Sequence, residues 1–192
     1  MVHEPEKNVY NKLIEYALAK SDAFMLITIR YLSHWENEFK SAESINPEFK
    51  EKLWQIKKQC MLDQKIFAEK TEPFLKKLHP YRLKQRHTPV EWPSTHCLGK
   101  SGNVDYDISV FQACKAIQPY LLEPGGLFQW KYPHFPEDLC FFYGGYCWLS
   151  TSAHERSAEI YVSTQEEVEE IKQLGLDLRC IEEDFTLFYE EY

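Results

Sequence analysis

The chain has 192 residues, 44% of them apolar and 15% aromatic, and a formal charge of −8. That length accommodates one or two folded units, and the apolar share, with no low-complexity run, excludes a disordered chain. No stretch reaches the roughly 18 uncharged apolar residues a membrane span needs, and "MVHEPEKNVYNK" lacks the basic start and apolar run of a signal peptide. A cytoplasmic protein with no membrane association is expected. The six cysteines (Cys60, Cys97, Cys114, Cys140, Cys147, Cys180) form no C-x-x-C pair, which predicts free thiols in a reducing compartment.

The first third reads as helix. Ile14, Leu18, Ser21, Met25, Thr28, Leu32 and Trp35 alternate at spacings of four and three, with Ala17, Phe24 and Tyr31 widening the stripe, so one amphipathic helix is expected over about Pro5 to Phe39. "KSAESINPEF" breaks it. Asn46 can cap a second helix with Pro47 in its first turn, and Phe49, Leu53, Ile56, Cys60 and Phe67 continue an apolar stripe until Pro73 ends or kinks it. Two long helices joined by a short polar link should pack antiparallel.

After Tyr81 the composition turns β-prone. "YDISVF" alternates as a strand, "QACKAIQPYLL" suits a short helix, and Pro133 and Pro136 keep "GLFQWKYPHFP" irregular. "LCFFYGGYCWL" reads as a hairpin on Gly144-Gly145, pairing Tyr143 with Tyr146, Phe142 with Cys147, Phe141 with Trp148 and Cys140 with Leu149. Both of its faces are apolar, which places it inside a sheet. "AEIYV" adds a strand. "STQEEVEEIKQLG" is a helix with a capping box at Ser163 or Thr164 and a stop at Gly175, and "LDLRCIEE" with "DFTLFYEEY" supplies a further strand or tail. The expected fold is α+β: an N-terminal antiparallel helical hairpin, residues 1–80, packed on a mainly antiparallel sheet with one C-terminal helix, residues 81–192.

The charge is one-sided. Residues 155–192 carry twelve acids against three bases, a balance of −9, which leaves about +1 for the remainder. Such a surface repels nucleic acid and draws a basic protein partner; the plainer reading is a solvated helix face. The candidate partner-binding residues are Glu166, Glu167, Glu169, Glu170, Glu182, Glu183 and Asp184.

One segment suggests chemistry. In "STSAHERSA", His154 stands beside Glu155 and follows three hydroxyls, Ser150, Thr151 and Ser152, the residue types a general acid/base site uses. His154, Glu155 and Ser152 are therefore the catalytic candidates of an alternative enzymatic reading. Neither G-x-S-x-G nor H-E-x-x-H occurs, and the same residues would also serve to tie down a loop.

A zinc reading of His134, Cys140, Cys147 and His154, with His96 and Cys97, matches no common spacing, so no metal and no cofactor is expected. His34 with Glu38, and His79 with His87, read as surface or packing residues. "CLGKSGN" shares only residue types with a P-loop, and the basic "KKLHPYRLKQRH" reads as a linker or as an internal partner of the acidic tail.

Trp92-Pro93, Pro136 to Phe141, Trp148-Leu149 and His154-Glu155 together resemble the pattern of a little-characterised bacterial family, over the C-terminal half only. The resemblance implies a bacterial cytoplasmic protein and draws attention to His154-Glu155, but brings no activity with it. The leading expectation is a non-enzymatic protein-protein interaction protein of the immunity, antitoxin or phage-related inhibitor kind. Its partner would be a basic protein such as a toxin or nuclease, and a third reading makes the N-terminal helices a homodimer arm. The alternative is a small hydrolase or transferase using His154 as general acid or base.

Overall fold

The structure, a computed structural model of the chain, describes residues 3–31, 47–88, 91–92, 95–96 and 104–179. Helix α1 (Lys7–Lys20) buries Tyr10, Leu13, Ile14, Ala17 and Leu18, the stripe its spacing predicts. It stops at Ser21, which is extended, and the chain continues as strand β1 (Ala23–Tyr31).

The single helix expected to reach Phe39, and with it the N-terminal antiparallel helical hairpin, is therefore corrected. Phe24, Met25, Leu26, Ile27 and Thr28 are all buried, because β1 is an interior strand with apolar cover on both faces. A continuously buried apolar run has no period of its own, so it fits a helical stripe as well as a strand. Asp22 holds the crossover in place. Its N–H donates to the Phe142 carbonyl (3.0 Å), its carbonyl accepts from Ala113 N–H (2.9 Å), and its carboxylate accepts from Gly144 N–H (2.9 Å).

Helix α2 (Pro47–Ile66) runs through a π-helical turn, Phe67–Thr71, into α3 (Glu72–Leu78). Pro73 lacks an N–H and its ring crowds the carbonyl four residues back, which falls inside the π turn; the wider turn lets the helix pass the proline. Strands β2 (Arg82–Thr88), β3 (Glu91–Trp92), β4 (Thr95–His96) and β5 (Val104–Gln112) follow. Then come the short α4 (Gln118–Leu121), β6 (Glu137–Tyr143), β7 (Tyr146–Ser152), β8 (Ser157–Ile160) and α5 (Gln165–Gln173).

The main sheet has six antiparallel strands in the order β2-β5-β1-β6-β7-β8, while β3 and β4 pair separately. The architecture is α+β, and the sheet draws on both sides of the boundary expected at residues 80 and 81. On one face Phe24, Leu26, Phe111, Phe141, Trp148 and Leu149 pack with α1, α3 and the aromatic connector. On the other, Met25, Ile27, Ile108, Val110, Cys140, Phe142 and Cys147 form a second buried cluster.

The β6–β7 hairpin turns at Gly144-Gly145, both at positive φ (55° and 84°), where glycine carries no Cβ penalty. Tyr143 pairs with Tyr146 and Phe142 with Cys147 as expected. Phe141 then pairs with Leu149 rather than Trp148, because an irregularity intervenes. Such an irregularity turns two successive side chains the same way, so Trp148 and Leu149 both enter the helix-side core. The Trp148 indole N–H donates to Ser21 Oγ (2.8 Å) and ties the hairpin to the end of α1.

Candidate functional site

His154 and Glu155 lie in the turn between β7 and β8, and both are exposed. Their Nε2 and Oε1 atoms are 3.8 Å apart, too long for an orienting hydrogen bond. Ser152, at 1% exposure, is closed to solvent and does not share the exposed surface of His154. Its Oγ, like that of Ser150, has no hydrogen-bond partner among the described residues.

The hairpin brings a different pair to the imidazole. Glu137 and Asp138, at the start of β6, offer carboxylate oxygens that lie with a His154 ring nitrogen within 4.8 Å of one another. Asp138 is fully buried, has φ of 54°, and accepts the Ala153 N–H at 2.9 Å, which fixes the start of β6 against the end of β7. Glu137 accepts from Tyr132 N–H at 3.3 Å. Burial and, next, the charge of Asp138 raise the Glu137 pKa above the ordinary carboxylate range, against the opposing pull of the Tyr132 N–H, His154 and Lys131. An imidazole with two carboxylates can relay a proton or ligate a cation.

The acids of α5 have distinct surroundings. Thr164 and Glu167 form the reciprocal capping box, and Glu167 also takes Lys20 Nζ at 2.7 Å. That bond, ahead of the Ser163 N–H, holds its pKa below the usual carboxylate range. Glu170 accepts the Tyr16 hydroxyl at 2.8 Å. Burial of Tyr16, then its bond to Glu170, raise the phenol's pKa. Glu169 pairs with Lys172 at 2.9 Å on an exposed surface, and Glu166 is exposed. Glu182, Glu183 and Asp184 lie outside the described residues.

At the other end of the sheet is a cavity of about 340 Å³. The antiparallel register sets Thr28 and His87 on either side of Asp107, with Gln85 beside Ser109. Thr28, Gln85, Asp107 and Ser109 line the cavity from the sheet, and Phe67, Glu72, Leu75 and His79 from the helical side. His87 Nδ1 lies 2.8 Å from Asp107 Oδ1, and Arg82 bridges His79 and Gln85. Sequence reasoning read His79 and His87 as surface or packing residues, and both are exposed, but it did not foresee the cavity beside them. The available signal was the polar run Asp105, Asp107 and Ser109 at alternate positions of β5, on the face that also carries Phe111.

The buried thiols are inert packing groups. Burial and, next, a hydrogen bond with Cys147 push the Cys140 thiol pKa well above its ordinary value. Both cysteines are free. Among the described residues no helix is long and apolar enough to cross a membrane. Comparison with family models, curated proteins and solved structures gives no match.

Proposed function

We propose that the chain is a non-enzymatic interaction protein, of the immunity, antitoxin or phage-inhibitor kind, that binds a basic protein through its acidic C-terminal face. One observation carries this reading. Glu166 and Glu169 stand three residues apart on the exposed side of α5, away from buried Ile171, with exposed Glu170 beside them taking the Tyr16 hydroxyl. The helix carrying them is pinned by the capping box and the Lys20–Glu167 bridge.

Exposed acids speed encounter with a cationic protein, from about 10⁵–10⁶ M⁻¹s⁻¹ toward 10⁸ M⁻¹s⁻¹ at low salt. The Glu169–Lys172 pair is exposed and worth little by itself, so a partner's cations can replace it. Glu167 is an internal strut on this reading, and the contact residues narrow to Glu166, Glu169, Glu170 and the acids that follow.

The test is retention from native lysate on the immobilised chain at low and moderate salt. A single stoichiometric basic protein, lost as salt rises and not held by an E166Q/E169Q/E170Q variant, supports the proposal; no retained protein, or equal retention by the variant, removes it.

The meeting of His154 with Glu137 and Asp138 favours a second reading, a small hydrolase or transferase with His154 as general acid or base. It requires a folded His154→Ala chain that has lost an activity found for the wild type in a hydrolase screen.

A further inference from the structure

We infer that Glu137, Asp138 and His154 form a binding site for one divalent transition-metal ion. The donors come from separated positions, two carboxylates at the start of β6 and an imidazole in the β7–β8 turn, and the hairpin brings one ligand atom of each within a 4.8 Å span. Donors at about 2.1 Å from one ion stand about 3.4 Å apart in a tetrahedral shell and about 3.0 Å apart in an octahedral one, so side-chain movement of about 1.4–1.8 Å closes the widest gap. His154 can make it, since its side chain is 54% exposed and sits in a turn.

A second observation is independent of this convergence. Glu137 is half-buried beside fully buried Asp138. Two adjacent carboxylates withdrawn from water are a costly arrangement that a cation relieves.

The backbone holds the carboxylates in place as a ligand shell requires: Tyr132 N–H bonds one Glu137 oxygen and Ala153 N–H bonds one Asp138 oxygen. One imidazole with two carboxylates suits zinc or manganese(II), whereas magnesium and calcium prefer an all-oxygen shell. Access is from the exposed His154 side, where water completes the coordination.

Isothermal titration of the chelator-treated full chain with Zn²⁺ alone and with Mn²⁺ alone is the test. The expected result is one ion per chain for at least one metal, with affinity falling tenfold or more in both His154→Ala and Glu137→Gln. Both substitutions fall outside the fully buried core, and circular dichroism verifies that the variants fold. Asp138→Asn is avoided, because Asp138 also holds Ala153. Absence of binding by both ions at millimolar concentration, or affinity retained in either variant, overturns the assignment.

Discussion

Glu167→Gln separates the structural acids of α5 from those available to a partner. The substitution removes the charge from a group that receives Ser163 N–H at 2.7 Å, Thr164 N–H at 3.3 Å and Lys20 Nζ at 2.7 Å. Loss of an N-cap interaction costs about 0.5–2 kcal/mol. The lysine bridge, with side chains 17% and 26% exposed, contributes at most about 1 kcal/mol more. A glutamine keeps part of the hydrogen bonding, so about 1 kcal/mol of destabilisation is expected, a Tm fall of about 2–4 °C for a chain of this size.

The pH dependence supplies the sign. The folded-state pKa of Glu167 is depressed, so its contribution is present above the unfolded value and lost as pH falls through the folded one. Wild type and variant should therefore differ at pH 7 and converge in acid. Thermal unfolding followed by circular dichroism at both pH values, with Glu166→Gln as the neutral control, decides it. Equal stability of the Glu167 and Glu166 variants at pH 7, or a difference that persists unchanged in acid, would refute the strut assignment.

Phe24→Ala tests whether β1 is an interior strand: Phe24 is fully buried and stacks on Phe111 at 5.0 Å between centroids, so a loss of about 3–5 kcal/mol in urea unfolding is expected. A loss well under 1 kcal/mol would contradict the burial of Phe24. Cys140 and Cys147 should resist a thiol reagent at pH 8 in the native chain and react once it is unfolded, while half-buried Cys114 reacts first among the described thiols; peptide mapping reads the order. Glu137 has a raised folded pKa, so it costs stability as pH rises above the unfolded carboxylate value. Glu137→Gln should then gain on wild type between pH 4 and 7 in metal-free buffer, and a gap that narrows instead would contradict its buried placement.

The elements legible in the sequence are those whose signals are local. Gly144-Gly145 fixes the hairpin turn, Thr164 with Glu167 fixes the start of α5, and the 3.6-residue stripe fixes α1. The segment from Ala23 was illegible because burial on both faces erases the alternation that marks a strand. The shift after Phe141 was equally hidden, since both hairpin faces are apolar and either register satisfies them. Counting back from the turn sets residues 137 and 138 against 151–153, so the approach of Glu137 and Asp138 to His154 was within reach of the sequence. The cavity at Asp107 was not: its walls come from β1, β2, β5 and the helices, and only the sheet order assembles them.

The claim that the acidic face of α5 captures a basic protein is tested most directly by association rates with the retained partner across a salt series, wild type against E166Q/E169Q/E170Q. The account predicts a rate that is fast at low salt and falls steeply for the wild type, and a slow, nearly salt-independent rate for the variant. Equal rates and equal salt slopes for the two chains would contradict it.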